Sequence, residues 1–545
     1  MSNKQLADLL FPHITKTIED IEISYPDREL NSNAIVTRIG PSPTGFIHLG
    51  NLYNAIIAER LAHQSEGTFY LRIEDTDNKR EVKGAVDIIL TAMEHFGIYF
   101  DEGAVSEGDK GCYGPYRQRQ RKNIYQVYAK YLVELGLAYP CFCSEEELTG
   151  KRQIQMELKE NIGYYGTWAA CRNLTYEEIE QRIEAKEPYV LRFRSSWNSG
   201  KAISVKDAIR GELTMPENIL DFVLLKSDGI PTYHFAHVID DHLMKTTHVI
   251  RGEEWLPSLP MHIQLFDTFR WKRPIYCHTA TLMKMDGTSK RKLSKRKDPE
   301  LALAYYQQEG YIPEAVWDYL LTILNSNYEE WKLKNTGKPY TEFPFTLEKM
   351  SNSGALFDIN KLNDISKEVL CRMPGDEIYT RWLKWAEEWD TEYSAVLRRD
   401  KELAVNALII GRNTDKVRKD LINWKQTGEF MSMYFDEYFT LEDSFPPNIS
   451  EVDKKLFLKR YLEEITFTED KTQWFDKVRS ITGEIGYAAN MKEFKKTPEL
   501  FKGNIVDLTN LLRIAITGRS NAPDIWEVSV CLGQKRVKER IARFL

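Results

Sequence analysis

Residues 34–51 read AIVTRIGPSPTGFIHLGN. Residues 34–39 are mostly apolar or β-branched, which predicts a short buried strand. Two prolines and Gly45 then force a turn. His48-Leu-Gly50 opens a helix in which Leu49, Leu52, Tyr53, Ile56, Ile57 and Leu61 share one face. Residues 69–73, FYLRI, read as a second strand. Two strands joined by a helix connect right-handed and give a parallel sheet. A further helical run follows, with Val86, Ile89, Leu90, Met93 and Phe96 in register. The pattern predicts a doubly wound, Rossmann-type nucleotide-binding core.

Outward from that core the pattern changes. Residues 1–32 carry Leu6, Leu9, Leu10, Ile14 and Ile18 at helical spacing and are expected to form a helical extension capping the body. Residues 33–140 make the first half of the core. Between 141 and 215, charged helical stretches flank a segment rich in Gly, Tyr and Trp, which reads as an inserted α/β domain. The core pattern resumes at 219–225 and 247–250, so 216–290 supply its second half. Beyond that, helical periodicity dominates, through a connecting region at 291–350 and an all-α region at 351–545. The length of 545 residues agrees, since it implies roughly three to five domains.

Hydrophobic residues at 42% and charged residues at 28% exclude a disordered chain. Twelve tryptophans argue for substantial cores. A net charge of −7 excludes a general polycation, so a nucleic-acid partner would have to meet local basic surface. Seven cysteines, odd and sparse, fit a reducing compartment. The N-terminal MSNKQLADLLFPHITK lacks an apolar signal region, and no stretch approaches the roughly 20 apolar residues of a membrane span. A cytoplasmic, monomeric enzyme without a membrane partner is expected.

Two segments carry chemistry. At 41–51, His48-Leu-Gly50 sits where a helix begins, and helix N-termini present free N–H groups to phosphate oxygens. His48 can donate a hydrogen bond to a phosphate that gains charge, and Gly50 lets a flat group approach the backbone. At 284–298, KMDGTSKRKLSKRKD holds seven basic and two acidic residues. Such a run is usually a solvated loop. It also fits a mobile loop whose Lys292 and Lys295 close on a triphosphate. Neither segment decides the matter alone.

Their combination does. His-x-Gly at the first strand–helix turn, Lys-x-Ser-Lys after the last strand and an insertion between them resemble a class I aminoacyl-tRNA synthetase. Arg38-Ile-Gly-Pro-Ser-Pro-Thr-Gly45, Arg72-Ile-Glu-Asp-Thr-Asp77, Pro231-Thr-Tyr-His234 and Asp240-Asp-His-Leu-Met244 narrow the resemblance to the bacterial-type glutamyl-tRNA synthetase family. Val249-Ile-Arg-Gly-Glu-Glu-Trp255 and Lys292-Leu-Ser-Lys-Arg296 do the same, while Ala515-Ile-Thr-Gly518 and Cys531-Leu-Gly533 resemble its anticodon-binding end. The similarity spans residues 33–545.

The resemblance implies ATP and Mg2+ as cofactors, L-glutamate as substrate and tRNA(Glu) as acceptor, with tRNA(Gln) left open as a second acceptor. It places Arg38 and Arg251 on the substrate's carboxylates, where bidentate pairing supplies charge and geometry. Glu74 matches the position that holds the α-ammonium group, and Ser42 and Tyr233 line the amino-acid pocket. His237 stands where relatives often carry Asn. His48, Gly50, Asn51 and Lys295 match ATP-handling positions, with Lys292 supporting the same loop. Asn51 replaces a second histidine common in class I enzymes. Leu293 and Arg296 replace Met and Ser of the usual loop, but both lysines remain. Arg72 and Asp75 are expected in an internal salt bridge, and Asp240 and Asp241 in positioning roles.

Some relatives bind zinc in the insertion, which draws attention to Cys141, Cys143 and Cys171. Asn173 occupies the place of a histidine ligand, leaving Tyr164 or Tyr165 as an unusual fourth ligand. Three ordinary thiols in a decayed site outweigh zinc on this pattern. The resemblance also assigns 141–215 to the tRNA acceptor end, 291–350 with its KLSKR loop to a stem contact, and 351–545 to the anticodon. Residues 116–122, YRQRQRK, read either as an acceptor-stem contact or as a solvated helix. Arg412, Lys416, Arg418 and residues 535–538 are anticodon-side candidates. Rival functions are a glutaminyl-tRNA synthetase, a tRNA-independent nucleotidyltransferase and a non-catalytic tRNA-binding protein. Glu74 and the GPSPTG entry favour glutamate over glutamine, since glutaminyl enzymes typically carry Asp at that position in a different motif. The long helical end argues against the nucleotidyltransferase.

Overall fold

The computed structural model describes residues 2–77, 82–196, 200–412, 414, 417–467 and 470–545. The chain divides into two compact units, Met1–Tyr305 with Trp317–Asp358, and Tyr306–Val316 with Ile359–Leu545.

The first unit opens with α1 (Asn3–Leu10) and α2 (Ile18–Ile23). Ser2 with Gln5, and Thr17 with Asp20, form reciprocal capping boxes that satisfy the free N–H groups at each start. The core begins at β1 (Val36–Ile39), passes through α3 (Leu49–Gln64) and returns parallel in β2 (Thr68–Leu71). After α4 (Ala85–His95), β3 (Glu102–Ala104) adds in parallel, and β4 (Asp109–Lys110) closes that edge antiparallel. The helix α3 is apolar on more than the one expected face. Leu52, Ala55, Ile56, Ile57 and Ala58 are fully buried, and the buried charged residues Glu59 and Arg60 pair with each other at 2.6 Å. Each of those large aliphatic side chains contributes about 1.5–3 kcal/mol by burial.

After α5 (Lys122–Glu134), on which α1 and α2 pack, the chain leaves the core. The excursion runs through β5 (Ala138–Cys141), α6 (Glu145–Leu158), α7 (Tyr176–Glu184) and β6 (Val190–Phe193). It continues in the hairpin β7 (Ala202–Asp207) and β8 (Gly211–Pro216), then β9 (Val223–Leu225). Here the strand pairing differs from expectation. Residues 219–225 were expected to resume the parallel sheet, yet β9 pairs antiparallel with β6. Conversely β7, within the expected insertion, lies parallel to the core strand Ile275–Thr279. A short apolar run fixes that a strand is buried, but not which sheet receives it.

The core resumes with α8 (Tyr233–Leu243), β10 (His248–Gly252), α9 (Leu259–Thr268) and β11 (Ile275–Thr279), with β10 and β11 parallel. Beside β1, the Thr247 N–H donates to the Val36 carbonyl at 3.0 Å, and the Val36 N–H donates to Thr247 Oγ1 at 2.8 Å. The chain thus departs toward β2 on one side and toward β11 on the other. Open α/β sheets bind ligands in the crevice at such a divergence. A last hairpin, β12 (Met283–Asp286) and β13 (Ser289–Lys292), turns at Gly287 and Thr288.

The second unit is helical from Ile359–Leu370 through Ile525–Ala542, around a core that includes Trp382, Leu397, Phe457, Trp474, Leu512 and Ile541. Arg540 is buried among these helices, donating to the carbonyls of Met433 (2.6 Å) and Ile516 (2.8 Å). No helix among the described residues is long and apolar enough to cross a membrane.

Candidate active site

A crevice of about 360 Å³ opens where β1 and β10 diverge, lined by Arg38, Gly40, Ser42, His48, Asn51, Glu74, Tyr233, Arg251 and Trp255, among others. Seven of the residues singled out in the sequence therefore share one cavity. Its walls have two chemically different ends.

One end is a cage of buried charge. Tyr233, His237 and Asp241 recur every fourth residue of α8, so they project from one helical face. Asp241 accepts from Arg38 Nε (3.2 Å) and Nη2 (3.1 Å) and from Arg72 Nη1 (2.6 Å). Burial would raise the Asp241 carboxyl, but these two guanidiniums hold it well below its ordinary range. Burial would likewise weaken Arg38 as a cation, and Asp241 keeps it firmly protonated. Arg72, expected to pair internally, does so with Asp241 and with Glu74 Oε1 at 3.0 Å. Asp75 accepts from the Arg119 backbone N–H at 2.8 Å. Burial pushes the Glu74 carboxyl upward against the pull of Arg72 and Arg38. His237 lies fully buried behind this layer, its Nδ1 2.7 Å from Asp241 Oδ2 and its ring parallel to that of Tyr233. The Trp255 ring closes on Tyr233 at 4.2 Å.

The other end is built for an anion. His48 is the N-cap of α3: its Nδ1 accepts from the Asn51 N–H at 3.2 Å, while Asn51 Oδ1 accepts from the His48 N–H at 3.0 Å. With Nδ1 committed as acceptor, the ring proton belongs on Nε2. Burial lowers the His48 pKa from its ordinary value, so the ring is neutral and Nε2 is a donor. At Gly50 a Cβ would lie 3.0 Å from the His48 ring, so the bareness of that residue leaves room for the imidazole. The Lys295 ammonium rests 3.9 Å from the centre of the Phe46 ring, two residues before His48. In the loop, Arg291 and Lys284 are consumed by Asp298 and Glu300, with Arg291 bidentate to Asp298 at 2.6 and 2.8 Å. Lys292 and Lys295 are exposed, and neither has a carboxylate in ion-pair range among the described residues. The loop therefore has an anchored base and leaves Lys292 and Lys295 without a carboxylate partner among the described residues.

In the excursion, the sulfurs of Cys141, Cys143 and Cys171 lie within 4.8 Å of one another, with Cys143 and Cys171 3.6 Å apart. The Tyr164 hydroxyl sits 3.3 Å from Cys141 Sγ and 3.4 Å from Cys143 Sγ. Tyr165 instead donates to the Asn161 carbonyl. The hydrogen bond with Cys171 holds the Cys141 thiol below its ordinary range against the cost of burial, and Tyr164 adds to the pull.

Of the acceptor-stem candidates, Arg121 is fully buried, its Nε 2.7 Å from Asp240 Oδ1 and its Nη1 donating to the Tyr25 hydroxyl. Arg117 is spent on Asp109 and on the carbonyls of Gly108 and Val105. In the second unit, Arg412 donates through Nη1 to the Leu370 carbonyl, its Nε and Nη2 having no hydrogen-bond partner among the described residues, and Arg418 lies over the Phe430 ring. Lys535 and Lys538 are exposed, and Lys416 lies outside the described residues. Sequence reasoning did not place Gly40, His262 or His278 at the site. Gly40 was legible as the glycine of the entry motif, while the two histidines stand in no recognisable pattern.

The chain matches the family model described as "tRNA synthetases class I (E and Q), catalytic domain" over residues 34–364, and "Anticodon binding domain" over residues 450–545. It is 55% identical to a glutamate–tRNA ligase of Acetivibrio thermocellus over the whole of both chains. It is 46% identical to that of Clostridium perfringens strain SM101, again with both chains fully covered. Among solved structures, a glutamate tRNA ligase from Elizabethkingia meningosepticum in complex with its amino acid superposes with a TM-score of 0.74 at 28% identity, covering 94% of this chain and 99% of the other. With a catalytic core, an anticodon-binding end and full-length relatives all of one kind, the chain belongs to the glutamate–tRNA ligase family of class I tRNA synthetases.

Proposed function

We propose that this chain attaches L-glutamate to tRNA(Glu) at the expense of ATP. The observation that carries the reading is one crevice with a neutral His48 donor at a helix N-terminus and a carboxylate-binding cage at the other end. A glutamate α-carboxylate oxygen attacks the α-phosphorus of ATP, the bond to the bridging oxygen breaks, and pyrophosphate leaves with glutamyl-adenylate formed. His48 Nε2–H stabilises charge on the phosphates, and Lys292 and Lys295 follow it onto the leaving pyrophosphate. A terminal ribose hydroxyl of the tRNA then attacks the activated carbonyl, and AMP departs. Arg38 and Arg251 take the substrate's carboxylates, Glu74 its α-ammonium group, and Ser42 and Tyr233 shape the pocket. Catalysis rests on position and charge, with no covalent enzyme intermediate.

Mg2+ screens triphosphate charge in such reactions. It would ride on the nucleotide, because the cysteine cluster is the one group of three or more metal-ligating side chains found among the described residues. The sequence pattern leaves zinc the less favoured reading of that cluster, and the sulfur spacing is the observation in its support. A tetrahedral ion with Zn–S bonds of about 2.3 Å needs sulfurs about 3.8 Å apart, and Tyr164 stands ready as fourth ligand. Its role would be structural, in the region we assign to the acceptor end. Residues 351–545 are assigned to the anticodon, and the cytoplasm is the proposed compartment, in keeping with seven unpaired cysteines.

ATP–pyrophosphate exchange with glutamate or glutamine, each with and without tRNA, tests the central reading. Exchange with glutamate that requires tRNA is expected. Exchange with glutamine alone, or with an acid in the absence of any tRNA requirement, sinks it in favour of the rivals. Charging purified tRNA(Glu) and tRNA(Gln) separately decides the acceptor. Metal analysis of chelator-free protein decides zinc.

A further inference from the structure

Arg251 differs from the other arginines of the cage. Arg38, Arg72 and Arg121 each have a carboxylate partner in Asp241, Asp240 or Glu74. Arg251 is just as buried, at 5% exposed, but among the described residues no carboxylate reaches its guanidinium. Its partners are two imidazoles. Arg251 Nε donates to His278 Nε2 at 3.0 Å, and Arg251 Nη1 lies 3.1 Å from His262 Nδ1. The third nitrogen, Nη2, is buried with no hydrogen-bond partner among the described residues, on a residue that lines the crevice.

An arginine can only donate, so both imidazoles must accept, and each is held in the tautomer that can. His278 Nδ1 lies 2.7 Å from Asp207 Oδ2, so the proton sits there and Nε2 keeps its lone pair. His262 Nε2 lies 3.0 Å from His234 Nδ1, so the proton that His262 Nδ1 cannot carry sits on Nε2 and is donated to His234 Nδ1. Burial holds His262 and His278 below the usual imidazole range, so both rings are neutral. Asp207 is fixed in turn by the backbone N–H groups of Ile209 and Arg210, both at 2.9 Å. Arg251 is thus oriented on two sides by acceptors that cancel none of its charge.

We propose that Asp207, His278 and His262 are positioning residues that aim Arg251 and leave its charge uncompensated, so that the pocket selects an amino acid with a carboxylate side chain over its carboxamide. The inference rests on the proposed reading that this crevice binds glutamate. A carboxylate entering beside Nη2 gains a full charge pairing that no protein group has already taken. A carboxamide there would leave a buried cation unmatched, which is costly in a low-dielectric site. Arg38, already neutralised by Asp241, cannot make that distinction as sharply.

The test separates charge from shape. His262→Asn and His262→Asp place an oxygen near the former Nδ1 and differ only in charge. Kinetic constants for glutamate, glutamine and ATP are measured by tRNA-dependent pyrophosphate exchange. We expect His262→Asn to raise the glutamate KM about fivefold while keeping the preference for glutamate. His262→Asp should raise that KM about a hundredfold or more and shrink the preference, with the KM for ATP unmoved in both, because the new carboxylate occupies Arg251. Asp207→Asn reverses the His278 tautomer, turning its N–H toward Arg251, and should raise the glutamate KM with the melting temperature of the unit retained. Equal losses in the Asn and Asp variants, or no loss in either, overturn the proposal while wild-type activity with glutamate preserves the reading beneath it. A wild-type chain inactive with glutamate overturns both. Should either His262 variant fail to fold, the Asp207→Asn result decides alone: an unchanged glutamate KM overturns the proposal.

Discussion

A Cβ built on Gly40 would fall 2.3 Å from Glu74 Oε1, closer than any real contact, so the bareness of residue 40 is what admits the Glu74 carboxylate to the crevice. The obstructing atom is the end of a flexible side chain, so a Gly40→Ala chain can fold by moving that carboxylate aside. The cost should therefore appear in binding. On the proposed reading Glu74 holds the α-ammonium group, and losing that charged hydrogen bond is worth about 1.5–3 kcal/mol, or about tenfold to a hundredfold. The KM for glutamate should rise by that factor, with the KM for ATP and the melting temperature little changed. A drop in stability with unaltered KM would assign Gly40 to the fold and not to the ligand.

Lys295 and Arg291 stand four residues apart in one loop with opposite commitments. Among the described residues Lys295 rests on the Phe46 ring with no carboxylate partner, whereas Arg291 spans Asp286 and the buried Asp298. Lys295→Ala should slow pyrophosphate exchange by about a hundredfold, the scale of one lost transition-state donor, without shifting thermal unfolding. Arg291→Ala should lower exchange and also loosen the hairpin, seen as faster amide exchange at residues 283–298. Wild-type exchange rates in Lys295→Ala would remove the loop from the chemistry.

The contrast between those residues marks where sequence reasoning stops. The strand, turn and helix at 34–61 were legible because Pro, Gly and periodic apolar residues act locally. The H-x-G and K-x-S-K segments became meaningful through their order. What could not be read is pairing at a distance. Asp241 neutralises Arg38 from 203 positions away, and nothing around either residue announces the other. Arg121 sits in a run that looks like solvated basic surface, yet it is fully buried. The membership of 223–225 in the excursion's sheet was hidden for the same reason, since local pattern gives burial and tertiary contact gives the partner.

That misreading of Arg121 is itself testable. Its guanidinium and the Asp240 carboxylate are both fully buried, and Tyr125 and Gln118 complete the carboxylate's hydrogen bonds. Arg121→Met would strand a buried anion, a change that typically costs about 3–5 kcal/mol. Urea denaturation should register the loss, and adding Asp240→Asn should recover part of it. The salt dependence of tRNA binding should keep its slope, because a buried arginine displaces no counterion from a phosphate. A slope reduced by about one with stability intact would return Arg121 to the tRNA surface.

His63 supplies a pH signature at the alkaline side. Its Nε2 lies 3.1 Å from Asp101 Oδ2 and its Nδ1 2.9 Å from Glu59 Oε1, so both ring nitrogens face carboxylates. The hydrogen bond with Asp101, then that with Glu59, raises its pKa to about 9. In the unfolded chain the ring titrates near its ordinary value of about 6.5. A raised folded-state value means the folded form holds the proton more tightly. The stabilisation is therefore fully present below pH 6.5 and is lost as pH rises through 9. The ring is about one-third exposed, so solvent screening reduces the effect to about 1 kcal/mol. His63→Gln should melt below the wild type at pH 6, and the gap should close by pH 9.5. A gap that stays constant across that range would mean His63 is held by packing and not by its charge.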